Sequence, residues 1–224
     1  MRLGKNVAWS TLVAALVAAA GAIVMLFAAQ GAMAGIAGSK HDFSTGNTWN
    51  TTGEICVVCH APHNSGSSSL LWNHSTSAVA TYTLYASPSL NATLGQPGLG
   101  GVSKLCLSCH DGTVAIDNFG GKTTGTQAIP ATANLAGGTL GGTTGSLADD
   151  HPISFTYDAT LATADGGLVT PAADGKSVVA GIPLYSAKLE CASCHDVHNN
   201  AAAGTKLLRV ANTSSALCLK CHNK

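Results

Sequence analysis

Four copies of one short pattern, Cys-x-x-Cys-His, contain every cysteine of the chain. The copies lie at Cys56–His60, Cys106–His110, Cys191–His195 and Cys218–His222. Two cysteines three residues apart fall on the same side of a tight turn, so both sulfurs can form thioethers to the vinyl groups of one haem. The histidine that follows is then placed to bind the iron from one face. The spacing therefore predicts four covalently attached haem c groups.

The predicted attachment residues share one motif and differ only in position. They are Cys56, Cys59, Cys106, Cys109, Cys191, Cys194, Cys218 and Cys221, with His60, His110, His195 and His222 as the proximal iron ligands. Zinc sites built from paired C-x-x-C segments, or four disulfides, are the alternative uses of eight cysteines. Neither alternative requires a histidine after every second cysteine, which favours haem.

Residues 1–34 have the features of a signal peptide. Arg2 and Lys5 precede an apolar run from about Thr11 to Ala29, and Ala32-Met33-Ala34 is typical of a cleavage site. We expect an exported chain with no membrane span after cleavage, although a retained apolar run would be long enough to cross a bilayer. Because residues 1–34 contain two basic residues and no acidic ones, cleavage changes the formal net charge from 0 to −2. The mature chain has no basic patch, so nucleic acid is not an expected partner.

The sixth ligands are expected to be histidines, because all three methionines lie within residues 1–34. Four irons and five spare histidines fit a protein in which each haem has two histidine ligands. The candidates are His41, His63, His74, His151 and His198. His63 and His198 each follow a proximal histidine by three residues, so we expect them to bind a neighbouring iron in a closely packed haem pair. His41 and His151 are the matching donors of the two halves, and His74 has no counterpart.

The mature chain contains an internal duplication. Cys56–Asn64 is similar to Cys191–Asn199, and Leu70–Ser77 aligns with Leu207–Ser214. Repeated segments of this kind indicate repeated structural units. We predict one tetrahaem domain at 35–224, made of a dihaem module A at about 39–115, a Gly/Thr-rich connector at about 119–147 and a dihaem module B at about 149–224.

The composition predicts a fold that is mostly irregular, with a few short helices and short strands wrapped around a stack of four haems. Aromatic residues make up 5 % of the chain and charged residues 10 %, so few large side chains are available for a core. Short helical turns should carry the haem motifs, most clearly at Leu217–Cys221. Thr81–Tyr85, Ile153–Tyr157 and, more weakly, Val178–Tyr185 are typical of strands. Leu94–Gly101 and Gly120–Gly145 are expected to be surface loops.

The order of these elements resembles the doubled-CxxCH multihaem cytochromes, and within them the extracellular tetrahaem members that polymerise into nanowires. The resemblance runs from about Ser39 to His222 and rests on Lys40-His41-Asp42, the C-V-V-C-H-A-P-H-N segment, Leu71-Trp72-Asn73-His74, Leu105–Gly112, Asp150-His151-Pro152 and the closing pair of haem motifs. It implies an extracellular homopolymer in which one distal histidine binds a haem of the next subunit. His41, His63 and His74 are the candidates for that crossing ligand. A head-to-tail contact of this kind produces an open filament.

Several functions are compatible with the motifs. The first is an extracellular electron conduit, a non-enzymatic protein that passes electrons along four bis-histidine haems to other redox proteins or extracellular acceptors. The second is a monomeric periplasmic or secreted electron shuttle. A membrane-anchored quinol dehydrogenase would need to retain the apolar segment, and a reductase would need an iron with an open position, which five spare histidines make unnecessary.

Overall fold

The computed structural model describes residues 35–63, 65, 69–94, 99–198 and 207–223. The predicted signal peptide lies outside these residues. Within the described residues there are three short α-helices: α1 (Gly101–His110), α2 (Ala159–Asp165) and α3 (Cys191–Cys194). Four short 3-10 helices lie in the same part of the chain, at Ser69–Leu71, Ala131–Ala133, Thr213–Ser215 and Cys218–Lys220. The mostly irregular fold with few short elements is therefore confirmed.

Four two-residue strands form two small sheets in the described part of the chain. The strands are β1 (Thr83–Leu84), β2 (Ser146–Leu147), β3 (Phe155–Thr156) and β4 (Lys188–Leu189). β1 pairs with β2 in parallel, with Thr83 opposite Ser146, and β3 pairs with β4 antiparallel, with Phe155 opposite Leu189. The strands predicted within Thr81–Tyr85 and Ile153–Tyr157 are confirmed.

The strand predicted at Val178–Tyr185 is wrong. The chain turns there, because the Val178 N–H donates to the Ile182 carbonyl at 3.0 Å and the Ile182 N–H donates to the Val179 carbonyl at 3.0 Å. Gly181, with φ +88°, lies inside this turn and permits the reversal. The apolar residues of this segment are buried, but the chain that carries them forms a turn and not a strand.

Two apolar clusters lie beside the sheets. Module B contains the larger one, formed by Phe155, Tyr157, Leu161, Val178, Ile182, Leu184 and Leu189. The other combines module A with the connector and consists of Val79, Tyr82, Leu99, Leu107, Ala136 and Leu147. The connector is mostly exposed, as predicted for Gly120–Gly145, but Ala136 is buried. It therefore packs onto module A as well as linking the two modules.

Helix α1 carries the second haem motif and is the longest described helix. Leu105 and Leu107 are among its buried residues. The helix ends at His110, and Gly112, two residues later, has φ +80°. Gly112 could not be replaced without strain, because a Cβ there would lie 2.5 Å from the Gly138 carbonyl oxygen. By contrast, the segment predicted to be the clearest helical turn, Leu217–Cys221, contains only the 3-10 helix Cys218–Lys220.

Candidate haem attachment sites

All four motifs adopt one turn that brings the histidine back over the first cysteine. In the first, third and fourth motifs the histidine N–H donates to the carbonyl of the residue four positions earlier. These hydrogen bonds are His60 to Cys56 at 2.8 Å, His195 to Cys191 at 3.0 Å and His222 to Cys218 at 3.0 Å. The second motif makes the same turn as the last part of α1. One local conformation thus places two sulfurs and one imidazole together in each copy.

Backbone carbonyls orient two of the motif imidazoles. His60 Nδ1 lies 2.8 Å from the Leu70 carbonyl oxygen, and His110 Nδ1 lies 2.8 Å from the Ala133 carbonyl oxygen. A carbonyl only accepts, so Nδ1 carries the proton and Nε2 keeps its lone pair for a metal. Neither carbonyl has a recognisable sequence signature, and one comes from the connector. These positioning groups were missed by sequence reasoning.

Three pairs of histidine rings lie close together at similar distances. The ring centres are 5.8 Å apart for His41 and His110, 6.0 Å for His60 and His198, and 6.4 Å for His151 and His222. A metal–imidazole bond is about 2.0 Å long, and the nitrogen lies about 1.1 Å from the ring centre when ring bonds are about 1.3 Å. One iron bound by two imidazoles on opposite sides therefore separates the ring centres by about 6 Å. The three pairs have that separation.

The ligand candidates in these pairs can supply a free nitrogen. His41 is part-buried, and burial, followed by the nearby His110 and His195 side chains, lowers its pKa to about 4. It is therefore neutral at pH 7, which is the form that binds a metal. Its Nδ1 is buried without a hydrogen-bond partner in the described structure. His151 Nδ1 lies 2.9 Å from the Pro152 carbonyl oxygen, which leaves its Nε2 free.

His74 has a different environment. It is buried, with Nδ1 2.7 Å from the Ser75 carbonyl oxygen and Nε2 3.1 Å from the Ala115 carbonyl oxygen. Burial lowers its pKa, although these carbonyl contacts oppose the effect. Both ring nitrogens already face protein oxygens, so the structure gives His74 the surroundings of a packed side chain.

His63 is exposed, and the described part of the chain brings no second histidine ring against it. It belongs to the first motif segment, where it follows His60 by three residues, as His198 follows His195. His198 lies against the ring of His60. The C-x-x-C-H-x-x-H segment of module B thus reaches the first motif of module A.

The two modules repeat one hydrogen-bond pattern. Ala61 N–H donates to the Leu71 carbonyl at 2.9 Å, and Asp196 N–H donates to the Leu207 carbonyl at 2.7 Å. Leu71 and Leu207 both have φ +53°. Leu71 is therefore the structural counterpart of Leu207. The alignment of Leu70 with Leu207 inferred from sequence is shifted by one residue.

In both modules a side chain of the returning segment donates a hydrogen bond to a backbone carbonyl of the motif, and we call this contact the side-chain clamp. Asn73 Nδ2 donates to the Val57 carbonyl at 2.5 Å, and Arg209 Nε donates to the Ala192 carbonyl at 2.7 Å. Val57 and Ala192 are the residues that directly follow the first cysteine of their motifs. Arg209 also pairs with Asp196 at 2.9 Å. Each clamp ties the returning chain to its haem motif.

Cysteine sulfurs of the two modules meet where α1 packs against α3. The thiols of Cys106 and Cys191 share a hydrogen bond, and this bond, together with burial, raises the pKa of Cys106. Burial also raises the pKa of Cys59 and of Cys221 to about 11. The thiols of Cys106, Cys59 and Cys221 are therefore protonated at neutral pH. The second and third motifs lie side by side across the module boundary.

A haem fits this donor set. Trp72 Nε1 is buried without a hydrogen-bond partner, and its ring stands edge-on to His60 with the centres 6.2 Å apart. A haem offers an iron for the imidazoles and carboxylates that could accept from such an N–H. Among the described residues no three His, Cys, Asp or Glu side chains converge on a common metal position.

Comparison with known proteins gives a family match at the end of the chain. The family described as the doubled CXXCH motif matches residues 185–224, which include the third and fourth motifs. This match supports a multihaem c-type cytochrome with covalently bound haem c and a role in electron transfer. A search of curated proteins found no match to the chain. No helix in the described part of the chain is long and apolar enough to cross a membrane.

Proposed function

We propose that this chain is a tetrahaem electron-transfer cytochrome with one haem c at each Cys-x-x-Cys-His motif and histidine on both sides of each iron. The observation that carries the proposal is the spacing of the three histidine pairs, at 5.8, 6.0 and 6.4 Å between ring centres. Each pair joins a motif histidine to one of the spare histidines. When bound, a haem supplies a one-electron iron couple, and histidine at both axial positions gives a lower reduction potential than histidine with methionine.

The pairs define the proposed ligand assignment. His41 serves the second motif and His151 the fourth, each within its own module. His198 of module B serves the first motif, in module A. Because the two modules share one hydrogen-bond pattern, the corresponding donor for the third motif is His63.

The residues of the chain perform three tasks in this proposal. The carbonyls of Leu70 and Ala133 fix the proximal imidazoles in the tautomer that presents Nε2. The Asn73 and Arg209 clamps hold the first and third motifs against the returning chain. The packing of α1 against α3 keeps the attachment points of the second and third motifs together across the module boundary, which shortens the path for an electron between modules.

We further propose that the chain is the subunit of an extracellular filament, similar to the nanowire cytochrome OmcE, with His63 as the ligand that crosses between subunits. The sequence left His41, His63 and His74 as candidates. His41 already faces His110, and both nitrogens of His74 face carbonyl oxygens, whereas His63 is exposed. In the filament, His63 of one copy would bind at the third motif of the next copy, and a head-to-tail contact of this type continues indefinitely.

Two measurements test the proposal. The intact mass of the purified protein should exceed the mass of the mature polypeptide by four haems, and any smaller haem number contradicts one haem per motif. Material sheared from the cell surface should contain filaments of this chain by electron microscopy, and the His63→Ala variant should lack them. A wild-type protein found only as a discrete tetrahaem particle would identify the electron shuttle instead.

A further inference from the structure

Two acidic side chains are buried next to the central haem motifs. Asp111 directly follows His110 and is 0 % exposed, and Glu190 directly precedes Cys191 and is 2 % exposed. Within the described residues, Lys122 pairs with Asp117 and Arg209 pairs with Asp196. Neither buried carboxylate has a Lys or Arg partner in this part of the chain. A buried carboxylate without a cation persists only where hydrogen-bond donors replace water.

Asp111 is surrounded by such donors. Tyr82 OH donates to Oδ2 at 2.7 Å, and the Ser77 hydroxyl donates to the same oxygen. The Thr113 N–H and hydroxyl both donate to Oδ1 at 2.8 Å. Every contact presents a hydrogen to the carboxylate, so protein donors replace the water that burial removes.

Glu190 is held in the same way between the second and third motifs. Its Oε2 accepts from the Ser154 hydroxyl at 2.8 Å, from the Ser103 N–H at 3.3 Å and from the Ser103 hydroxyl. Ser103 lies in α1, and its hydroxyl oxygen accepts from the Cys191 N–H at 3.0 Å. The carboxylate therefore touches the helix that carries one motif and the first turn of the next.

We propose that Asp111 and Glu190 are potential-setting residues, whose buried charges lower the reduction potentials of the haems at the second and third motifs. The inference rests on the proposed function, because it requires haem at these motifs. A fixed negative charge stabilises the oxidised iron, which has one more positive charge than the reduced iron. In a medium of effective dielectric constant about 20, one charge about 10 Å away changes the ratio of the two forms about tenfold. Neither residue exchanges an electron or a proton in this role.

The test is a redox titration of the haem-loaded protein followed by its visible absorption. Asp111→Asn and Glu190→Gln remove one charge each and keep the side-chain shape. Each substitution should raise one of the four reduction potentials by about 59 mV, which corresponds to a tenfold higher ratio of reduced to oxidised haem. The double variant should raise two of the four reduction potentials. If all four potentials are unchanged in both single variants, the inference is overturned.

Two further variants separate charge from structure. Asp174→Asn makes the same change at an exposed turn residue, where water screens the charge, and should leave all four steps unchanged. Tyr82→Phe removes one donor from Asp111 and keeps the charge, so it should shift one step to lower potential, opposite to Asp111→Asn. If Asp111→Asn does not fold, unchanged steps in both Tyr82→Phe and Glu190→Gln overturn the inference. A wild-type protein without haem refutes the proposed function, whereas a loaded protein with unmoved potentials refutes only this inference.

Discussion

Replacing Gly112 by alanine tests whether the connector holds the second haem motif in place. Gly112 has φ +80°, and a Cβ there would lie 2.5 Å from the Gly138 carbonyl oxygen and against Asn134 Nδ2. The connector must move to make room. It would then lose the hydrogen bond from Asn134 Nδ2 to the Gly138 carbonyl at 2.8 Å and that from the Gly138 N–H to the Asp111 carbonyl at 2.9 Å.

The magnitude follows from these contacts. Alanine in the left-handed region costs about 1 kcal/mol. Each lost hydrogen bond adds about 1 kcal/mol, and the steric contact adds about 1 kcal/mol or more. We expect Gly112→Ala to lower the free energy of unfolding by about 4 kcal/mol. Because the same segment supplies the Ala133 carbonyl to His110, the variant should also weaken the low-spin signal of one haem.

Gly120→Ala is the matched control. Gly120 has φ +63°, and a Cβ there would meet no heavy atom within 4 Å. This variant should lose only about 1 kcal/mol, from the backbone conformation alone. Urea denaturation of the haem-loaded proteins, followed by Soret absorption, measures both changes. Equal losses in the two variants would refute the packing of the connector against the second motif.

Three further predictions follow from single side chains. Arg209→Ala should lower the free energy of unfolding by about 2 kcal/mol, because it loses charged hydrogen bonds. Arg209→Lys should lower it by a smaller amount, and urea denaturation measures both changes. Hydrogen bonds from Lys122 and from the backbone outweigh burial and lower the pKa of Asp117, so the folded state binds fewer protons than the unfolded state near pH 4. Stability should therefore fall as the pH falls through this range, and Asp117→Asn should show a smaller fall between pH 5 and pH 3. His74→Gln should keep all irons low-spin by electron paramagnetic resonance, whereas His41→Ala should make one iron high-spin.

Each of these predictions can fail in a definite way. An Arg209→Lys protein as stable as the wild type would show that the fork of hydrogen bonds is unnecessary. If the stability of Asp117→Asn depends on pH as that of the wild type does, another group causes the loss of stability in acid. A high-spin iron in His74→Gln would identify His74 as a ligand.

The sequence was sufficient to predict the structures that depend on residues close together along the chain. The haem motif fixes a single turn, and the same i to i+4 hydrogen bond closes it in the first, third and fourth motifs. The composition, poor in aromatic and charged residues, also predicted a mostly irregular fold. β1 and β3 were predicted because their β-forming residues alternate along the chain.

The partners of these elements were not predictable, because they depend on contacts distant in sequence. The pairing of His60 with His198 joins two modules, and only the folded chain shows it. The carbonyl of Ala133 orients His110 through a backbone atom that any residue could supply. Asp111 and Glu190 look like ordinary surface acids in the sequence, and only their burial distinguishes them.

The most direct test is an experimental density map of the haem-loaded protein at a resolution that shows iron and imidazole. Four irons are predicted, each held by a motif histidine, with three of the opposite ligands supplied by His41 at the second motif, His198 at the first and His151 at the fourth. A map in which these three histidines lie away from the irons, or in which the cysteines bind zinc or each other, would contradict the account.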